Sequence, residues 1–230
     1  MTAFVPELVI WDFDGTILDT EWPAYEAAKL EYERLGVEIH FGAWRDSIGS
    51  ANHEPWWEHL RREVGELGEP DEVVIARFRA YKNALTDSYD LRPGVRSAFS
   101  RLSELAVSCA VASSSPLDWV ERHTTRHGLW EHFTSVATQS DVGAERTKPH
   151  PDLFLLAASR ADCEPSRCLV IEDSANGVAG ANAAGMPVVA VPNRITAGQD
   201  FSHADLVLDS LADISVDDLL QRCSPAAQAP

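Results

Sequence analysis

Leu8-Val9-Ile10-Trp11-Asp12-Phe13-Asp14-Gly15-Thr16-Ile17-Leu18-Asp19-Thr20 sets a short apolar run directly before two acids spaced two apart. A run of this kind, closed by acids and a glycine, reads as a buried strand. On an extended backbone alternate side chains point the same way, so Asp12 and Asp14 share a face. Gly15 then allows the chain a sharp departure. Like charges this close raise one another's pKa unless a cation separates them. Taken alone, the stretch reads equally well as a solvated loop with a turn glycine.

Working outward, similar runs recur at Val107–Ala112, Ser135–Thr138, Cys168–Ile171 and Val188–Val191. Between them lie stretches of helical character. Leu117–His127 follows a Ser-Pro start, Asp152–Arg160 follows Pro149 and Pro151, and Asn176–Ala184 ends at Gly185. Strands alternating with helices imply right-handed crossovers. The fold expected is therefore α/β, a Rossmann-like three-layer core whose parallel sheet carries helices on both faces. From about Glu21 to about Asp90 the alternation stops, and helical patterns at Tyr25–Leu35, Trp56–Val64 and Glu72–Leu85 take over. We expect a core built from residues 1–20 and 88–230, with an all-helical insert over 21–87. Residues 224–230 read as a frayed tail.

The remaining polar motifs fall at strand ends, where a parallel sheet takes its ligands. Val111-Ala112-Ser113-Ser114 ends the second run, and its serines suit a helix N-cap or an anion site. Lys148, within Arg146-Thr147-Lys148-Pro149, stands before a proline-started helix; a lone lysine is more often simply solvated. Leu169-Val170-Ile171-Glu172-Asp173-Ser174, followed by Asn176-Gly177, places an acid pair after the fourth run. On its own that pair reads as a surface cap.

The four motifs in this order resemble the signatures of the haloacid dehalogenase-like hydrolases, over roughly Val9 to Asn193. The helical insert after Thr20 is similar to the cap domain of the β-phosphoglucomutase and phosphoglycolate phosphatase subfamily. That resemblance implies a magnesium-dependent phosphotransferase with Asp12 as nucleophile and Asp14 as acid and base. It implies magnesium ligands from Asp12, the Asp14 main-chain carbonyl and Asp173, with Glu172 in or near that shell. Ser113, with backbone N–H groups around Ser114 and Asp14–Gly15, would hold phosphate oxygens, and Lys148 would offset the negative charge. The reaction expected is hydrolysis of a small phosphate monoester, a sugar phosphate or similar metabolite, through an aspartyl-phosphate.

Four alternatives compete with it. Halide displacement and phosphonate cleavage need no acid at the Asp14 position, so Asp14 disfavours both. A mutase of the β-phosphoglucomutase type would need cap cations for a second phosphate. Here Ser50-Ala51-Asn52-His53 follows the glycine where an arginine is expected, although Arg45, Arg77, Arg79 or Lys82 could supply charge. A non-catalytic phosphate-binding protein would need a lost catalytic residue, and none is missing. The substrate-facing candidates are Glu21, Trp22, Asn52, His53, Arg77 and Lys82.

Composition narrows the partners. The net charge of −17 argues against a nucleic-acid binder. No long apolar stretch suggests a membrane span, and no secretory signal is visible, so a cytoplasmic protein is expected. The four cysteines lack metal or redox spacing, and Cys109 and Cys168 read as buried thiols. Monomer and homodimer are left open.

Overall fold

Alternation along the first strand, β1 (Leu8–Trp11), sends its side chains into two separate cores. Val9 and Trp11 face one layer, Leu8 and Ile10 the other, and all four are fully buried. A strand enclosed on both faces must be apolar throughout, which is why this run shows no polar alternation. The computed structural model describes residues 6–46, 48 and 54–223.

Five further strands join β1: β2 (Ser108–Ser113), β3 (Phe133–Thr138), β4 (Cys168–Glu172), β5 (Val188–Ala190) and β6 (Leu206–Val207). The sheet is parallel in the order β3-β2-β1-β4-β5-β6. The chain thus builds outward from β1 on one side, then returns to start β4 on the other. That reversal opens a crevice at the carboxyl ends of β1 and β4, the place where such sheets bind ligands.

Helices cover both faces. On one lie α5 (Val95–Glu104), α6 (Leu117–Arg126) and α10 (Val216–Arg222), contributing Phe99, Leu102, Val120, Leu219 and Leu220. Phe99 stacks on Trp11 with ring centroids 4.6 Å apart. On the other lie α8 (Asp152–Arg160) and α9 (Ala175–Ala183), contributing Leu153, Phe154, Ala157, Val178 and Ala181. Each valine, leucine or phenylalanine among them, once buried, is worth about 1.5–3 kcal/mol. A short helix, α7 (Gln139–Val142), follows β3 with a Thr138–Asp141 capping box.

The expected α/β core is present, with five strands where the runs fell. The edge strand β6 and the helices α5 and α10 are additions to that expectation. Residues between β1 and α5 hold α1 (Glu21–Arg34), α2 (Phe41–Asp46), α3 (Trp56–Val64) and α4 (Asp71–Thr86), with no strand among the described residues. Tyr32, Leu60, Leu67 and Val74 form a separate buried cluster there, with Trp56 and Trp57 against it. The two connections to the sheet run side by side: Leu18 pairs with Leu91, and Arg92 N–H donates to Ile17 O at 2.9 Å. Two side-chain amides reach from the sheet side to α2 and the residues after it. Gln199 Nε2 donates to Arg45 O and Asn176 Nδ2 to Ile48 O, both at 2.8 Å. The tail at 224–230 lies outside the described residues.

Candidate active site

Four of the sequence-predicted residues converge where β1 and β4 end. Asp12 N–H donates to Ile171 O at 2.9 Å, extending the β1–β4 pairing by one residue. This carries the Asp12 carboxylate alongside Glu172, the last residue of β4. Lys148 Nζ donates to Asp12 Oδ1 and, at 2.6 Å, to Glu172 Oε1. Lys148, Glu172 and Asp173 are at most 1% exposed, and Asp12 5%. Glu172 Oε2 accepts from Asp173 N–H at 2.8 Å, Ser174 N–H at 2.9 Å and Ser174 Oγ at 3.0 Å. A buried charge survives only with such partners.

The electrostatics are those of a site short of positive charge. Burial, with Glu172 and Asp14 adding to it, lifts the Asp12 carboxyl to about 7 despite Lys148. Burial and then Glu172 push Asp173 well above the carboxylate range. Burial works against the Lys148 ammonium, but Asp12 and Glu172 outweigh it and hold it protonated. Asp12 Oδ2 is buried with no hydrogen-bond partner. Carboxylate oxygens of Asp12, Glu172 and Asp173 lie within 4.8 Å of one another. Hard oxygen donors, excess negative charge and an orphaned carboxylate oxygen fit a magnesium-like cation.

Gly15 turns the chain with φ +85°, and a Cβ there would overlap the Asp173 carboxylate and Asn193. Only glycine permits both the positive φ and that approach. Asp173 is then fixed by Thr16 Oγ1 at 3.1 Å and Asn193 Nδ2 at 2.6 Å. Arg92 donates to Gly15 O at 2.5 Å and Val191 O at 2.8 Å, tying the turn to the end of β5. Thr16, Arg92 and Asn193 were not among the expected residues. Thr16 sits inside the first motif and could have been read there; Arg92 and Asn193 carry no local signal.

Asp14 is half-buried and faces a different set of groups. Its Oδ1 accepts from Thr20 Oγ1 and from Trp119 Nε1, each at 2.8 Å, and Oδ2 accepts from Ser113 Oγ at 3.3 Å. Ser113, at the end of β2, also accepts from Ser115 N–H at 3.0 Å. Ser114 follows at the turn, half-buried. Asp12, Asp14, Gly15, Ser113, Lys148, Glu172 and Asp173 are thus brought together in one crevice.

The substrate-facing candidates divide. Glu21 opens α1, and burial followed by the charge of Asp14 raises its carboxyl to about 8. Lys82 of α4 places its ammonium 4.1 Å from the centroid of the Trp119 ring. Both line a cleft of about 400 Å³ together with Trp44, Trp56 and Phe78. Trp22 lies under the Arg194 guanidinium at 4.0 Å. Arg77 is held elsewhere, by Glu31 at 2.5 and 2.8 Å and by Glu69 at 2.8 Å. Asn52 and His53 lie outside the described residues.

A three-layer parallel α/β protein with acids, a buried lysine and a serine at its strand ends has the scaffold of an anion-handling hydrolase. A family model described as haloacid dehalogenase-like hydrolase matches residues 6–185, and the chain belongs to that family. It is 35% identical over 208 residues to the putative phosphatase YhcW of Bacillus subtilis, covering 90% of this chain and 93% of that one. It is 36% identical over 210 residues to a probable pseudouridine-5'-phosphatase of Drosophila melanogaster, covering 89% of each. Among solved structures, CbbY from Rhodobacter sphaeroides in complex with phosphate is similar, with TM-score 0.73 and 25% identity over 91% of this chain and 96% of that one. No helix among the described residues is long and apolar enough to cross a membrane.

Proposed function

We propose that this protein is a magnesium-dependent phosphatase acting on a small phosphate monoester, a sugar phosphate or similar metabolite, through an aspartyl-phosphate on Asp12. The observation that carries this reading is the buried Lys148 shared between Asp12 and Glu172, beside an Asp12 oxygen that has no partner. Relatives named as phosphatases support it.

Asp12, Asp173 and the Asp14 main-chain carbonyl would hold the metal, with Glu172 in or near that shell. A magnesium ion bound there supplies charge neutralisation on the phosphoryl oxygens. The Asp12 carboxylate attacks phosphorus, and the ester oxygen leaves. Lys148 and the Ser113 hydroxyl, with the N–H groups of the turn after Asp14, hold the phosphoryl oxygens while the bond changes hands. Asp14 gives its proton to the leaving oxygen and then takes one from the water that cleaves the acyl phosphate. Residues 21–87 act as a cap whose cleft receives the leaving group, with Glu21 and Lys82 at the side facing Asp14.

A phosphosugar mutase is the second reading of the same core. Arg77 is spent on Glu31 and Glu69, which removes one of the cations a second phosphate would need and supports hydrolysis. Phosphate release across a panel of phosphorylated metabolites with magnesium tests the proposal. Rapid release from one or a few monoesters is expected. No release from any ester, with the protein folded and metal-loaded, overturns it.

A further inference from the structure

Trp119 belongs to none of the motifs, yet its indole N–H is one of the two donors at 2.8 Å on Asp14 Oδ1. Two further groups pack on the ring. His123, one turn further along α6, meets it edge to face at a centroid distance of 4.2 Å. His123 itself is fully buried, and burial lowers its pKa to about 4, so it packs as a neutral ring against Trp119 and Phe13. Lys82 of α4 presents its ammonium over the ring, 4.1 Å from its centroid. A cation over an indole face is held electrostatically, so the Lys82–Trp119 contact joins α4 to α6, beside the pairing of Asp87, at the end of α4, with Arg122 and Arg126.

We infer that Trp119 is the positioning residue for Asp14: its N–H fixes the carboxyl that handles the leaving-group proton, and Lys82 packs on the ring from the helical segment. The inference rests on the phosphatase reading and deepens it. A carboxylate on a loop has free rotation about its side-chain bonds, and proton transfer requires one orientation within hydrogen-bond reach of the ester oxygen. Thr20 and Ser113 supply rotatable hydroxyls. The Trp119 N–H has a direction set by a ring packed against His123 and Lys82. Lys82 also lines the cleft, so the residue packed on the ring stands beside the space that receives the leaving group.

Trp119→Phe removes the donor and keeps an aromatic face for Lys82 and His123. Replacing the indole by benzothiophene, through an incorporated unnatural amino acid, keeps the full shape and puts sulfur where the N–H stands. Single-turnover phosphorylation is measured with an alkyl phosphate and with p-nitrophenyl phosphate, whose leaving group departs without a proton. Expected is a loss on the order of tenfold or more in the rate with the alkyl ester, the scale of one hydrogen bond to a charged group. Loss with p-nitrophenyl phosphate stays below about threefold, and KM changes by less than about twofold, because the contact acts on orientation and not on binding. The benzothiophene protein reproduces this split even where Trp119→Phe fails to fold. Equal losses on both esters, unchanged rates or a faster alkyl reaction overturn the inference. Wild-type protein inactive on both esters overturns the phosphatase reading beneath it.

Discussion

Exchanging Lys148 for methionine tests the charge balance at the strand ends. Methionine keeps an unbranched apolar stem in a position that is 1% exposed and deletes the cation shared by Asp12 and Glu172. Removing one partner of a buried pair costs about 3–5 kcal/mol. Glu172 retains three donors on Oε2, so the new imbalance falls chiefly on Asp12. In the wild type, burial lifts the Asp12 carboxyl from its ordinary 3.8 to about 7. A raised carboxyl costs the fold nothing below its ordinary pKa, and the cost grows with pH until the folded pKa is passed. That growth ends near pH 7 in the wild type. Lys148 is the group that holds Asp12 down, so in Lys148→Met the growth continues above pH 7 at about 1.4 kcal/mol per unit. The stability deficit should therefore widen by up to ~3 kcal/mol between pH 7 and about pH 9. Urea unfolding of chelator-treated protein, followed by tryptophan fluorescence, measures it. A deficit that is flat or shrinks above pH 7 would refute the role given to Lys148 as counter-charge. The same variant should lose at least about 100-fold in kcat.

Chelation should abolish turnover of p-nitrophenyl phosphate and magnesium should restore it; full activity after exhaustive chelation would remove the metal from the scheme. Asp12→Asn should leave activity near background, whereas Asp14→Asn should slow single-turnover phosphorylation most with poor alkoxide leaving groups; equal slowing with p-nitrophenyl phosphate would contradict its acid role. Glu21→Gln removes a carboxyl raised from 4.5 to about 8, chiefly by burial. The wild-type penalty accumulates as pH rises through that window, so the variant should gain relative stability from about pH 4.5 to 8, and thermal melts showing the opposite trend would overturn that placement of Glu21. β-Glucose 1-phosphate with a trace of glucose 1,6-bisphosphate should yield free phosphate or nothing, while rapid conversion to glucose 6-phosphate would favour the mutase.

What the sequence made legible follows from where each element lies in the sheet. β1, β2, β4 and β5 are buried along nearly their whole length between helices on both faces and read as apolar runs, whereas β3 stands at an edge and carries polar residues, with Thr134 exposed. β6 is a two-residue edge strand, half-exposed at Leu206 and exposed at Val207, and has no run to read. Helix α5 does carry the signal, with Val95, Ala98, Phe99 and Leu102 buried at helical spacing; the search for strand-helix alternation passes over it. The site divides on the same physical line. Asp12, Asp14 and Asp173 follow strands and Glu172 ends one, and backbone register carries Asp12 to Glu172. Asn193, Arg92 and Trp119 reach the same crevice through loops and one helix phase. Trp119 stands 105 residues from Asp14 in the chain, and only the packing of α6 against β1, through Val120 and His123, turns its N–H toward that carboxylate. A tryptophan at that spacing is indistinguishable in sequence from a core residue. Its donor earns a chemical role only once the fold supplies an acceptor on one side and a lysine from another helix on the other.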